Sequence, residues 1–175
     1  MTSGGNGGIM YNIGDQVVYC SHGVCTIRQI EERMIDKKTV YYYVLSPIAS
    51  ERTAFYVPVH NPVAQSKMRP LLTLEELKQI FSNPELFADC WIPEENRRKL
   101  RYKELLSRND LFLQAQMAAT LERRRNEQIS CGKKFHLADE SFLRDVRKSL
   151  ESELSVILSV PASEVMRELE KLIQA

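Results

Sequence analysis

Long apolar runs, glycine-rich signatures and regularly spaced cysteines are all missing from this 175-residue chain. Each absence removes a class of protein. No stretch approaches the roughly 20 apolar residues that a helix needs to cross a bilayer, so no membrane partner is expected. The N-terminal MTSGGNGG has neither a basic start nor an apolar core, which argues against a secretory signal and predicts a disordered lead over residues 1–9. Four cysteines, Cys20, Cys25, Cys90 and Cys131, are unevenly spaced in a chain with no export signal. A disulfide framework is therefore not expected, and a cytoplasmic location with reduced thiols is. Neither GxxxxGK(S/T) nor GxGxxG occurs, so no phosphate cradle can be argued.

Histidine is scarce as well. His22, His60 and His136 come without a coherent acid or amide partner, which leaves no nucleophile pair. Cys20, His22 and Cys25 have the spacing C-x-H-x₂-C, but strand residues point to alternate faces and the would-be partners Cys131 and His136 lie far along the chain in a helical half. No metal, no cofactor, no small-molecule substrate and no enzymatic activity are expected. Cys20 and Cys25 read more simply as small apolar residues on strands.

What is present is the composition of a folded globular protein, 43% hydrophobic and 27% charged, with a formal net charge of +1. That near-neutral sum hides an uneven distribution. Up to Pro70 there are seven Lys and Arg against five Asp and Glu, and residues 71–94 hold one against five. Residues 95–134 carry eleven against five, and 135–175 five against eight. A basic segment between acidic ones can hold a polyanion locally, or be a solvated helix face.

The hydrophobic period divides the chain. Residues 10–70 alternate or are β-branched and aromatic in DQVVYC, VCTIRQIEER, TVYYYVLSP and RTAFYVPV, with turn signals between them and a fifth short strand near Lys67–Arg69. Short antiparallel strands with no helix between them predict a small SH3- or Tudor-like β-barrel. Residues 71–175 are helical in period and predict an all-α bundle of about five helices, giving an α+β chain. Thr73 and Glu76 form a capping box, Pro93 suits a first helical turn, Asn109 can end a helix in the left-handed conformation, Asp110 can cap the next, and Gly132 breaks the chain. Leu111, Ala115, Ala118 and Leu121 form one apolar stripe; Leu143, Val146, Leu150 and Leu154 another; Val165, Leu169 and Leu172 a third.

Two surfaces stand out. Alternation in TVYYYVL sends Tyr41 and Tyr43 one way and Tyr42 and Val44 the other, so one set faces inward while the other covers the barrel's own ends or pairs with a partner's sheet edge. In ENRRKLRYKELLSR, at about 100° per residue, Arg97, Arg101 and Arg108 fall within about 40° of one another, with Tyr102, Leu105 and Leu106 to the other side. Arg98, Lys99 and Lys103 widen this zone. Antiparallel packing brings Arg123, Arg124 and Arg125 back toward its start, and Lys133 and Lys134 follow the break. Such cations suit successive phosphates. Trp91, the sole tryptophan, is either partly buried core or an exposed stacking or wedging group.

The run IGDQVVYCSHGVCTI, followed in order by IEERMIDKKTVYYYVL, YVPV and MRPL, resembles the N-terminal domain of the CarD/CdnL family of bacterial transcription regulators. The same module occurs in the transcription-repair coupling factor as its RNA polymerase interaction domain. Residues 71–175 resemble the family's C-terminal domain more loosely, through Trp91, RRKLRYKELLSRND and FLRDVRKSLESEL, and nothing resembles the coupling factor's helicase. The resemblance implies a stand-alone regulator whose barrel binds the RNA polymerase β subunit and whose helical domain contacts promoter DNA at the upstream edge of the melted region. It implies a polymerase contact for Arg33, and places Tyr56 where the family has a second, basic, contact residue. Trp91 matches the family's minor-groove wedge, with about one more helical turn before RYK than in the family. The expected polymerase-binding set is thus Arg33, Tyr41, Tyr43 and Tyr56. The expected DNA-binding set is Trp91 with the eleven Lys and Arg of residues 95–134. The rival expectation is a protein interaction module without direct DNA contact.

Overall fold

The computed structural model describes residues 10–174. The expected disordered lead over residues 1–9, and the inward side chain expected for Leu172, lie outside the described residues. The chain divides between Leu71 and Leu72 into two compact units.

The N-terminal unit is built from β1 (Gln16–Tyr19), β2 (Val24–Ile35), β3 (Lys38–Pro47), β4 (Phe55–Pro58), the short helix α1 (Pro62–Gln65) and β5 (Met68–Pro70). The strands form one antiparallel sheet in the order β4-β3-β2-β1-β5. No ladder joins β4 to β5 among the described residues; α1 packs against both instead. The expected barrel is therefore a sheet wrapped around its own core, its two ends bridged by one helical turn. Val17, Cys25, Ile27, Tyr43, Leu45, Val57 and Met68, drawn from all five strands, meet in that core. Burial raises the Cys25 thiol pKa to about 11, which keeps it protonated and inert. Among the described residues no three His, Cys, Asp or Glu converge as metal ligands.

One irregularity sets which way the outer part of β2 faces. Ile27 pairs with Leu45 and Gln29 pairs with Val44, so Arg28 is an extra residue in the ladder. Strict alternation from the buried Ile27 sends Gln29, Glu31 and Arg33 to the core face. The bulge reverses this: Ile30 opposite Tyr43 takes the core side, and Gln29, Glu31 and Arg33 the other.

The C-terminal unit holds α2 (Leu74–Phe81), a 3-10 turn (Pro84–Phe87), α3 (Glu95–Arg108), α4 (Leu111–Ser130), α5 (Leu137–Leu158) and α6 (Val165–Gln174). The stops and starts follow local chemistry. Thr73 and Glu76 make the capping box at α2, Asn109 ends α3 at φ 58°, and Asp110 caps α4 by accepting from the Leu113 N–H. Pro93 departs from expectation. The helix begins two residues later, because the Glu94 carboxylate accepts from the Asn96 and Arg97 N–H groups and so serves as the N-cap. Tyr102, Leu105, Met117, Ala118, Leu121, Phe142, Leu143 and Val146 form the core shared by α3, α4 and α5. Leu77, Leu111, Leu154, Val165 and Leu169 form a second one, which seats α2 and α6. No described helix is long and apolar enough to cross a membrane.

Candidate functional site

In the N-terminal unit the bulge brings an arginine and two tyrosines onto one face. Cross-strand pairing puts Arg33 opposite Val40, Glu31 opposite Tyr42, Tyr42 opposite Pro58 and Val44 opposite Tyr56. The Arg33 guanidinium lies 4.2 Å from the Tyr56 ring centroid and 5.5 Å from that of Tyr42. Its Nε and Nη2 donate to Glu31 Oε2 at 2.9 and 2.7 Å. The hydrogen bonds to Glu31 are the main cause of the upward shift of the Arg33 pKa, so the group is a fixed cation in an exposed aromatic frame. Tyr56 is 45% exposed, and its neutral ring replaces the basic group expected by resemblance. Tyr42 belongs to this face although residue-type reasoning left it out; its alternation phase, and its place opposite Glu31, are the signal that identifies it.

The other two tyrosines of the expected set separate from this face. Tyr43 has 0% exposure, and its Oη accepts from the N–H groups of Met10 and Tyr11 at 2.8 and 3.2 Å. It is a core residue that ties down the chain ahead of β1, and this corrects its assignment to a contact surface. Tyr41 is 36% exposed on the same side of β3 as Tyr43, edge-on to His60 with centroids 6.4 Å apart. It does not share the surface of Arg33 and Tyr56.

In the C-terminal unit the irregular segment between the 3-10 turn and α3 carries Trp91 to one end of the bundle. The half-buried indole packs against the shared core of α3, α4 and α5. The Arg98 guanidinium lies 4.2 Å from its centroid and that of Arg124 lies 5.5 Å away. Antiparallel packing of α3 and α4 thus does return the Arg123–Arg125 run to the start of the Arg97 helix. The Trp91 backbone N–H donates to Asp89 Oδ1 at 3.2 Å, and Arg124 Nη2 donates to Asp89 Oδ2 at 2.6 Å.

The cations around this indole are not alike. Arg98 is only 5% exposed: Nε and Nη2 donate to the two oxygens of Asp139 at 2.9 and 3.0 Å, and Nη1 donates to the carbonyls of Ile92 and Pro93 at 2.8 and 3.1 Å. Burial and four engaged N–H donors take Arg98 out of the expected DNA-contacting set. The bidentate carboxylate contact is the leading cause of its raised pKa, while burial, ahead of Asp139, drives the Tyr102 hydroxyl upward. Lys99 pairs with Glu95; Arg101 and Arg108 share Glu104 at 2.8 and 3.5 Å; and Arg125 pairs with Glu140 at 3.0 Å. Arg123 donates to the Phe87 carbonyl at 2.7 Å. Arg97, Lys103, Lys133 and Lys134 are exposed without an ion-pair partner among the described residues. His136 Nε2 lies 3.5 Å from Glu95 Oε1, which brings the end of the connection carrying Lys133 and Lys134 to the start of α3.

A wrapped five-stranded sheet with an arginine framed by tyrosines, followed in the chain by a helical bundle with one indole among cations, is the arrangement these residues define. Residues 11–72 match the family described as CarD-like/TRCF RID domain, so the N-terminal unit carries a CarD-like domain. Across both units it is similar to "Putative transcription factor YdeB" of Bacillus subtilis (strain 168), with 26% identity over 159 residues that cover 89% of this chain and 97% of that protein.

Proposed function

We propose that the protein is a cytoplasmic transcription regulator that binds the RNA polymerase β subunit through the Arg33–Tyr42–Tyr56 face and meets promoter DNA at the upstream edge of the bubble through Trp91 and its surrounding cations. Its role in transcription regulation, with RNA polymerase as the partner, rests on the CarD-like domain and on the likeness to a transcription factor. The observation that carries the finer reading is the indole with two guanidiniums 4.2 and 5.5 Å from its centroid, at the end of the helical unit where the basic runs of α3 and α4 meet. An apolar ring in that setting suits a melted fork, where part of the cost of unstacking, a few kcal/mol per step in duplex, is already met. Unpaired cations beside it meet phosphate oxygens, which position but do not specify. No step of this role calls for bond chemistry, and the chain acts by shifting the lifetime of the open complex.

The test is an open-complex lifetime measurement with the full chain. Trp91→Ala should keep polymerase binding and abolish the change in lifetime; Arg33→Glu should lose capture of the β subunit and, with it, the same change. Unaltered lifetime with Trp91→Ala refutes the wedge. The neutralisation of Lys99, Arg101, Arg108, Arg124 and Arg125 by neighbouring carboxylates favours the second reading, a protein interaction module without DNA contact. DNA binding that is absent at both low and high salt would select it.

A further inference from the structure

Trp91 lies in a stretch with no helix or strand of its own, between the 3-10 turn ending at Phe87 and the start of α3. An indole on such a stretch would lose much of its use as a wedge, because ordering it on the nucleic acid costs conformational entropy at the moment of contact. The structure supplies the order beforehand. Within one side chain, the Arg98 guanidinium holds both carboxylate oxygens of Asp139 and the carbonyls of the two residues that follow Trp91, while lying 4.2 Å from the indole centroid. Asp139 is fixed in turn: the Tyr102 hydroxyl donates to its Oδ1 at 2.6 Å, and Tyr102 stacks on Phe142 with centroids 4.0 Å apart and ring planes 9° apart. The chain of contacts runs from α5 through Arg98 of α3 to the segment that carries the wedge.

We propose that Arg98 is the positioning residue of the Trp91 wedge, holding the Trp91–Pro93 backbone and the indole in the orientation that the nucleic acid meets. This rests on the wedge reading above. A buried arginine–carboxylate pair is not needed for stability as such, since an apolar pair of similar volume is often as stable or more so. What an apolar pair cannot provide is a donor aimed at two loop carbonyls and a cation against the indole. Lysine cannot provide it either: its single ammonium lacks the planar fork that spans a carboxylate and two carbonyls together. With four of its five N–H donors engaged and the residue only 5% exposed, Arg98 is closed to a phosphate, so its effect on DNA passes through Trp91.

The experiment uses the full chain, in which Trp91 is the only tryptophan and its fluorescence reports on this one place. Two variants are made: Arg98→Met with Asp139→Leu together, and Arg98→Lys alone. Acrylamide quenching of the indole should rise in both, a fast component should enter its anisotropy decay, and the effect on open-complex lifetime should fall to the level of Trp91→Ala. Helical circular dichroism and capture of the β subunit should stay as in the parent chain. If either variant folds and keeps parental quenching, anisotropy and lifetime effect, Arg98 is only a structural residue and the proposal is overturned. The double variant's folding does not decide the matter, because Arg98→Lys keeps a cation beside Asp139 and reads the same quantities. If Trp91→Ala removes the lifetime effect while a loosened Trp91 retains it, this proposal fails and the wedge stands. If Trp91→Ala changes nothing, the wedge fails and the positioning role fails with it.

Discussion

Arg33 and Arg98 carry the same group, and their surroundings give them different work. The guanidinium of Arg33 faces water with Tyr56 at 4.2 Å and Glu31 beside it, so it is held in place yet available to a partner. An exposed cation–π contact is worth about 0.5–1 kcal/mol. Tyr56→Ala should therefore weaken binding of the full chain to the polymerase β subunit by about two- to fivefold, whereas Tyr56→Phe, which keeps the ring, should bind as the parent does. Tyr41→Ala should also bind as the parent, because Tyr41 lies on the opposite face. Titration of the β subunit against the three variants checks this, and equal losses from Tyr41→Ala and Tyr56→Ala would show that the face is wrongly assigned. At this scale the sequence was partly legible. Alternation correctly separated Tyr41 and Tyr43 from Tyr42, but not which set faced the core. Nor did it show that Arg98 is sealed, because the carboxylate that seals it lies 41 residues away. Helical phase put Arg98 at the edge of a cationic zone, and only the packing of α5 on α3 turns that edge inward.

Among the elements, the boundaries were the most legible, because caps and breakers act within a few residues. At α2, the Thr73 hydroxyl accepts from the Glu76 N–H at 3.2 Å, and the Glu76 carboxylate accepts from the Thr73 N–H at 2.8 Å. Thr73→Ala should cost about 1 kcal/mol at neutral pH, read as a lower melting temperature. The hydrogen bonds from Thr73 hold the Glu76 carboxyl below the ordinary carboxylate range. Its contribution is therefore present above the usual carboxylate pKa and disappears as pH falls through the lowered value, so the gap between Thr73→Ala and the parent should narrow in acid. A gap that stays constant down to acid pH would show that the bond from the Thr73 hydroxyl to the Glu76 carboxylate takes no part, since the backbone bond survives in the variant. At the β2–β3 hairpin, Asp36 and Lys37 both have positive φ, 48° and 63°, as a two-residue turn of this hand requires. Aspartate tolerates that region; lysine is strained there, by about 1 kcal/mol. Lys37→Gly should raise stability by up to about that amount in denaturant titration, and a loss would mean that the lysine side chain makes a contribution larger than its strain. The bulge at Arg28 was not legible. VCTIRQIEER has no glycine or proline to mark it, and only the need to keep both Ile27 and Ile30 on the core side forces the extra residue.

Taken as a whole molecule, the chain is almost neutral, with a formal net charge of +1. Even its basic stretch is weaker than its composition implies. Of its cations, Arg98 is buried, several are paired, and Arg97, Lys103, Lys133 and Lys134 remain open to phosphate. Binding to DNA by the free chain should accordingly be weak and its salt dependence shallow. With about four phosphates neutralised, the slope of log affinity against log salt should be about −3.6, at roughly −0.9 per contact. Replacing Arg97, Lys133 and Lys134 together by alanine should make that slope shallower by about one per residue removed, uniformly across sequences. Replacing the ion-paired Arg108 should barely move it. On polymerase the proposed function changes the arithmetic: anchoring through the CarD-like domain would make the DNA contact intramolecular, and tethering of this kind raises the overall association by about 10²–10⁴-fold without any new contact. The same triple variant should thus lose its residual binding to free DNA at moderate salt while keeping part of its effect on the open complex, because the anchor sustains the local concentration of Trp91. Filter binding across a salt series, set beside open-complex lifetimes at one salt, reads both quantities. A slope unchanged by the triple variant would mean that the phosphates are met by a different face of the helical unit.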